Sequence, residues 1–472
     1  MSRNAALGLL AAPALLAASV ALAQEIPPPK DVMALPETIA ISEAGGDGSA
    51  APMEIFDLDF PAHATDAGGG AAPTAPPIPS LSDRPTLTND WFGNGPTMRQ
   101  AGVTLRLEWS QFYQGLVQGQ GDKTWLYGGH LDALVRFDLS KMGFWSGLSL
   151  TAQGVYNYGK SVNGADGTVF AANSALFFPN VQNTDGLDIV DLHITQTIGK
   201  LVTIDIGKIN LVESIRYRPI AGGGGVDMFW NLNPALTSNG ITAASLGAAR
   251  ISVKTQPVSF SLMIYDPIDS LNEPLFSHLF KNGAAALGSA IYKTSILGRT
   301  GFYTISGGYT TKAGTDFRDI FDLVTPGDNA LGPILSKLRG SWTVGLSFQQ
   351  YIFQDSNNPN RGWGIFGSIT RTDSNPTIFQ INYLFGISGS SPIQSRPDDR
   401  FGVSLSRFAL SNTLRRAVAP VLSLRDEYAV EVFYDFAVTP WLRVKPDAQL
   451  INPAQSRFPL GAFAGVQTYV KF

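Results

Sequence analysis

From about Leu87 to the last residue, Phe472, apolar side chains return at every second position in one run after another. In AGVTLRLEWSQFY, Val103, Leu105, Leu107 and Trp109 share one parity, and Thr104, Arg106, Glu108 and Ser110 share the other. In HLDALVRFDLS, Leu131, Ala133, Val135, Phe137 and Leu139 alternate with His130, Asp132, Leu134, Arg136 and Asp138. The split recurs in LSLTAQGVYNY, VDLHITQT, LVTIDIG, ARISVKT, SWTVGLSFQQYIF and YAVEVFYDFAV, and in WLRVKPDAQL, where Arg443, Lys445, Asp447 and Gln449 share a face. A period of two puts successive side chains on opposite faces of a strand, so each run separates two environments.

A soluble antiparallel sandwich with one wet face would alternate in this way, and so would a closed barrel with lipid outside and water inside. Three features favour the barrel. Aromatic residues (Trp91, Trp109, Tyr113, Trp125, Tyr127, Trp342, Tyr351, Trp363 and Trp441) sit near the ends of runs, where interfacial girdles need them. Tight turns at 199–200, 255–257 and 439–440 contrast with long polar connections at 160–186 and 211–246, as short periplasmic turns contrast with long outer loops. Ionisable residues keep to one parity, and an Arg or Lys on the lipid face at the midplane would cost about 2–4 kcal/mol. Arg407 breaks this rule by sharing a face with Phe401, Val403 and Leu405, and is expected near a strand end.

Phe472 shares its face with Val470, Val466 and Ala464. The terminal stretch AGVQTYVKF is therefore read as a membrane strand that pairs with the first one and removes both open edges. About fifteen runs are visible, and single-chain barrels of this type usually have an even strand number, so sixteen strands are expected. The expected fold is all-β: a transmembrane antiparallel β-barrel with short periplasmic turns and long extracellular loops, wide enough for an aqueous channel.

Composition agrees. Charged residues are 15% and aromatics 11% of the chain, mean hydropathy is +0.05, and no apolar run of about 18 residues follows the N-terminus, so a helical membrane protein is not expected. Cysteine is absent, which excludes disulfides, thiolate metal sites and cysteine nucleophiles. The 34 basic and 38 acidic residues leave a net charge of −4 and no basic field for nucleic acid. Residues 1–23 have an early cation at Arg3, an Ala/Leu core and the small-x-small run Ala21-Leu22-Ala23, the layout of a secretory signal cleaved after Ala23. The Pro/Ala/Gly-rich stretch 24–86 is read as a disordered or extended leader, serving as a spacer or a tether. The barrel domain then runs over 87–472.

Several segments resemble one family, the carbohydrate-selective (OprB-like) porins. These are LTNDWFGNGPTMRQAGVTLRLEW at the start of the barrel, then GWGIFGSITRTDSNPT and SPIQSRPDDRFGVSLSRF, then EYAVEVFYDFAVTPWLRVKPDAQLINP. RPDDRFGV and the E-x-x-x-E-x-F-Y…P-W-L-x-x-x-P-D-x-Q run carry the resemblance most specifically. An extra Phe92 between Trp91 and Gly93 departs from it, and the leader carries no recognisable cell-wall-binding module. The resemblance implies a sixteen-stranded pore for passive uptake of glucose-like sugars across the outer membrane. It also implies insertion machinery that reads the strand ending at Phe472.

A sugar in such a pore needs hydroxyl partners and flat apolar surfaces. Lumen-parity charges offer the first: Arg106 with Glu108, then Asp132, Arg136 and Asp138, then Glu431 and Asp435, then Arg443. Opposed charges across a water-filled throat would set up a transverse field favouring neutral polar solutes, unless they are merely solvated or paired for rigidity. The loop NLVESIRYRPIAGGGGVDMFWNLNPALTSNG is the candidate constriction, with fold-back at Gly222–Gly225. In it Arg216 and Arg218 are donors, Asp227 is an acceptor, and Phe229 and Trp230 are stacking faces. An inward fold and an external loop both remain open.

Other functions are weighed against this. A hydrolase barrel needs serine and histidine together, but there is no G-x-S-x-G or H-E-x-x-H motif; of four histidines, His63 lies in the leader, His130 and His193 take lumen parity, and the last is His278. No cofactor or metal is expected. A general small-solute pore and a plugged structural or adhesive barrel remain the alternatives. Expected partners are small sugars, outer-membrane lipid and lipopolysaccharide, and the insertion machinery; a monomer and a homotrimer both remain open.

Overall fold

A computed structural model describes residues 79–181, 186–236, 239–268, 279–324 and 336–472. The expected signal and most of the leader, with His63 and His278, lie outside the described residues.

The alternating runs become sixteen antiparallel strands, β1 to β16 in chain order, closed into one barrel in which β16 pairs with β1. The strands most used below are β1 (Val103–Gln118), β2 (Leu126–Asp138), β5 (Val202–Asn210), β6 (Ser245–Lys254), β7 (Val258–Tyr265), β8 (Ala285–Ile296), β9 (Arg299–Thr315), β10 (Lys337–Gln354), β11 (Gly362–Thr372), β12 (Phe379–Ser390), β13 (Arg400–Leu410), β14 (Glu427–Ala437), β15 (Leu442–Asn452) and β16 (Gly461–Lys471). Closure runs from Glu108↔Lys471 and Trp109↔Val470 up to Gln118↔Ala462. It continues past the strand end, where the Phe472 N–H donates to the Leu107 carbonyl at 3.0 Å. No sheet edge is left to pair with another chain.

Parity is kept. Ile206, Phe260, Leu262, Leu346 and Leu405 point out, each about half exposed, while Arg106, Glu108, Asp132, Glu431 and Asp435 point in and are buried. Arg407 faces outward three residues from the end of β13, as expected. It is paired with Asp426 at 2.7 Å and lies over the Tyr383 and Tyr428 rings. Tyr351 departs from the expected girdle: it is 3% exposed and packs inward with Ile220 in the lumen cluster, because it keeps the lumen parity of Thr343, Gly345 and Ser347 just before a bulge in β10.

Connections 160–187, 211–244, 266–284, 316–336 and 411–426 all leave one end, the long-loop end. The other end carries the tight turns at 199–201, 255–257 and 438–441 and both ends of the barrel domain.

Two of the family-like motifs brace this short-turn end. Asn89–Phe92 form a left-handed turn with φ between +53° and +59°, a conformation costing about 1–2 kcal/mol per non-glycine residue. Arg99, on α1 (Gly95–Gln100), clamps it by donating to both Asp90 oxygens at 2.8 and 2.6 Å. Gly95 is required beneath, since a Cβ there would sit 1.9 Å from Asp90 Oδ1. The junction of leader and barrel is pinned beside it: Trp441 Nε1 donates to the carbonyl of Leu81 in the leader at 2.7 Å, and the N–H of Leu87, the first barrel-domain residue, to the carbonyl of Lys471 at 2.8 Å.

RPDDRFGV forms the turn before β13. Asp399 accepts from Arg396 Nε at 2.8 Å, from the Ala437 N–H at 2.8 Å and from the Tyr434 hydroxyl at 3.0 Å. Burial pushes against ionisation of this carboxyl, and these donors outweigh it, holding Asp399 below the usual carboxylate range. A depressed carboxyl adds stability above its unfolded value that is lost as pH falls through the folded one. Asp399→Asn should therefore cost stability at neutral pH, and progressively less below about pH 4, the ordinary aspartate range. Thermal unfolding in detergent across pH reads this, and an equal cost at every pH would exclude the ion pair as its source. For the lipid-facing wall, Leu346→Arg at mid-β10 should destabilise the barrel by about 2–4 kcal/mol in a vesicle-based unfolding titration.

Candidate functional site

Of the two arrangements the sequence left open, the loop after β5 adopts the inward one. It opens with α2 (Leu211–Arg216), capped by Asn210 Oδ1 accepting from the Val212 N–H at 3.0 Å. Gly222, Gly223, Gly224 and Gly225 all have positive φ, from +58° to +108°. Side chains would not fit: a Cβ on Gly223 would lie 2.5 Å from Met228 N, and one on Gly225 2.4 Å from Ser174 Oγ.

Lumen-facing groups hold the returning half of the loop to β14–β16. Lys445 Nζ donates to the carbonyls of Val226 at 2.9 Å and Met228 at 2.5 Å. Glu431 accepts from the N–H groups of Trp230 at 2.5 Å and Asn231 at 3.1 Å. Gln467 accepts from Trp230 Nε1 at 2.9 Å. Across the lumen, Gln349 on β10 accepts from the Ile220 and Ala221 N–H groups, each at 3.1 Å. On β12, Asn382 exchanges amide hydrogen bonds with Asn233 of α3 (Leu232–Leu236) at 2.6 and 2.8 Å. The loop is thus tied to walls on several sides of the barrel. The neighbouring loop 160–187 is held in the same manner, with Glu427 accepting from the Val169 and Phe170 N–H groups at 2.8 and 3.0 Å.

Two expectations are corrected here. Phe229 and Trp230 are 0% and 2% exposed, not open stacking faces. Phe229 is wedged edge-on against Phe366 and Phe433, with centroids 5.5 and 4.9 Å away, and Trp230 meets Phe112 at 5.4 Å. Glu431 does not present a free carboxylate, because both its oxygens are spent on loop N–H groups. All three anchor the loop.

The loop meets wall charges in one cluster. Arg106 donates to Glu213 (2.9 Å to Oε2), to Asp132 at 3.0 Å and to the Tyr217 hydroxyl. Arg216 pairs with Glu108 at 2.5 Å, with Asp132 at 3.3 Å and with Asp227, and donates to Tyr469 at 3.1 Å. Tyr469 in turn donates to Glu108. Two guanidiniums therefore sit among four carboxylates. Beside them a small pocket is lined by the polar residues His130, Asp132, Gln153, Asn210, Glu213 and Arg216 and by apolar ones, Phe178, Val190 and Val212 among them.

The other sequence candidates lie away from this cluster. Arg136 is half-buried on the lumen face of β2, nearer the short-turn end. Asp138 ends that strand and accepts from the N–H groups of Ser140 and Lys141, bracing the turn. Asp435 and Arg443 pair at 2.7 Å on β14 and β15. Arg218 is buried in the loop. Of the two lumen-facing histidines, His130 borders the pocket beside the cluster and pairs with Asn157 (2.7 Å), and His193 pairs with Asp191.

Sequence reasoning missed Glu213 and Tyr217 in the loop and the lysine clamp at Lys445, although Glu213 stands three residues before Arg216, a spacing that pairs on a helix. Removing the Glu431 carboxylate takes away two charge-assisted bonds, worth about 1.5–3 kcal/mol each. Glu431→Ala and Lys445→Met should each raise single-channel conductance while the barrel stays folded on a heat-modifiability gel. Unchanged conductance in both would leave the aromatic wedges alone holding the loop.

Comparison with known proteins agrees with this architecture. The chain is 27% identical over 153 residues to Porin B of Pseudomonas aeruginosa, a match covering 28% of this chain and 33% of that relative, so it spans about a third of the relative's length. The high-pH structure of Pseudomonas putida OprB superposes with a TM-score of 0.72 at 19% identity, covering 84% of this chain and all of that one, a likeness of fold. The family described as carbohydrate-selective porin, OprB family, matches residues 122–472. The chain belongs to the carbohydrate-selective porin (OprB) family.

Proposed function

We propose that this protein is a passive, non-enzymatic pore through which small neutral sugars of the glucose type cross the outer membrane of a Gram-negative bacterium. The observation that carries the reading is the inward loop, pinned to walls on several sides of the lumen and meeting wall charges at Arg106, Glu108 and Asp132. A loop fixed in this way narrows a barrel whose width would otherwise pass solutes without discrimination. Its buried charges at Glu213 and Arg216 are paired with wall charges, so they fix the loop in place across the path of the solute. The family's description supports sugars as the solute class. Outer-membrane lipid and lipopolysaccharide around the wall, recognition of the strand ending at Phe472 by insertion machinery, and assembly as a trimer belong to the same proposal.

Planar-bilayer conductance of the refolded chain, with monosaccharides and disaccharides added as blockers, tests it. Sugar-dependent block is expected, and an equal response to sugars and to charged solutes of the same size would favour a general pore. The cluster also fixes a sign. Four carboxylates against two guanidiniums already give an excess of negative charge, and loss of Arg106 deepens it. Arg106→Ala should therefore shift the reversal potential in a salt gradient toward cation selectivity. Glu108→Ala should shift it the other way.

A further inference from the structure

The wall opposite the ion-paired cluster has a different chemistry, and strand register organises it. Thr203 on β5 pairs directly with Ser252 on β6, Ser252 with Ser261 on β7, Ser261 with Ser289 on β8, and Ser289 with Ser306 on β9. All five have lumen parity, so their hydroxyls form an unbroken row across five strands. The row goes on through Gly345 of β10 to Thr370 of β11. Gly345 keeps the row open, since a Cβ there would come within 3.0 Å of Ser306 Oγ and 3.4 Å of Thr370 Oγ1. A second row, two residues along, joins Thr304, Ser347 and Ser368.

Direct partners lie perpendicular to tilted strands, so such a row climbs the barrel as it crosses it. With strands about 4.8 Å apart and tilted about 40°, each step rises roughly 3 Å along the axis. The ends agree with this climb. Thr203 is the second residue of β5, at the short-turn end, and Thr370 is two residues from the long-loop end of β11.

Two further observations bear on what the row is for. Exposure is graded along the row: Thr203, Ser252 and Thr370 are 1–6% exposed, close to the 3–8% of Arg106, Glu108 and Asp132, whereas Ser261, Ser289 and Ser306 in its middle, with Thr304 and Ser347 beside them, are half-buried. In addition, the hydroxyls of Ser252, Ser289 and Ser368 are buried and bond no protein group among the described residues. A buried hydroxyl without a protein partner weakens a fold, so packing does not explain why these positions carry one.

We propose that this spiral of hydroxyls is the track along which neutral polyhydroxylated solutes descend, exchanging one hydroxyl partner for the next while the ion-paired wall holds the loops. Each site is a weak neutral donor and acceptor, and successive weak sites permit entry without trapping. The inference rests on the sugar-pore reading above and names the surface that carries the solute.

The test uses the refolded full chain in liposomes, with glucose as the probe and potassium chloride conductance as the reference. In a Ser261→Ala/Ser289→Ala/Ser306→Ala variant, glucose flux relative to conductance should fall by roughly threefold or more, the scale of one net hydrogen bond. The corresponding triple threonine variant, which keeps the hydroxyls, should retain the ratio. Ser289→Ala alone removes a group with no protein partner, so it should fold and show a smaller loss in the same direction. A ratio unchanged in both alanine variants overturns the track, as does an equal loss in the threonine variant. Wild-type protein that admits glucose no faster than a zwitterionic amino acid of similar size overturns the sugar-pore reading itself.

Discussion

The ladder between β1 and β16 is the contact on which the rest depends. It leaves no edge strand, so every barrel N–H and C=O between lipid and lumen has a neighbour to bond. Closure also converts a two-residue rhythm into two surfaces with opposite needs. Outside, exposed Leu, Ile, Val and Phe meet hydrocarbon without cost. Inside, charged and hydroxyl side chains stand beside apolar ones such as Phe112, Phe366 and Phe433, and a barrel this wide leaves more room than they fill. Something else must occupy that volume, and it must bring backbone groups that the wall can bond.

The loop after β5 does this, and the wall is divided accordingly. Lys445, Glu431, Gln467 and Glu427 are used on loop backbone, and Arg106, Glu108 and Asp132 are matched by Glu213, Arg216 and Asp227 of the loop. Taking so many charges out of water is expensive, and buried ion pairs are poor sources of net stability. Their value here is positional, because a carboxylate that has given up its water holds a loop N–H in one place only. From β7 to β10 the wall carries Ser261, Ser289, Ser306 and Ser347, which stay half-buried and make this the wetter side.

How much of this was legible in the sequence follows from what a period of two encodes. Parity tells which way a side chain points, so the strands, the barrel, the lumen placement of Arg106 and the outward placement of Arg407 could all be read. Parity does not tell what fills the space in front of a side chain. Glu431 and Trp230 are 201 residues apart in the chain, and Arg106 and Glu213 are separated by 107. Their pairing depends on how the loop crosses the lumen, which no local pattern records. For that reason Phe229 and Trp230 read as open stacking faces when they are wedges, and Tyr351 reads as a girdle residue when it points inward. The hydroxyl row is hidden for a related reason. Ser252, Ser261, Ser289 and Ser306 are ordinary serines until the register of three strand pairs sets them side by side.

The structure also gives the family-like motifs physical meanings, and these sort in an instructive way. The Asp90–Arg99 pair and RPDDRFGV brace the short-turn rim. In the E-x-x-x-E run, Glu427 fastens one inward loop and Glu431 the other. In P-D-x-Q, Gln449 donates to the Ala172 carbonyl and Asp447 accepts from Gln449. Each of these roles concerns building the frame and keeping loops inside it; of the family-like segments, GWGIFGSITRTDSNPT is the one that reaches the hydroxyl wall, at Ser368 and Thr370. Resemblance at these motifs therefore speaks to the geometry of the constriction. Selection among solutes that fit through it is left to the side chains along the open wall, where one methyl or hydroxyl can change without disturbing the frame.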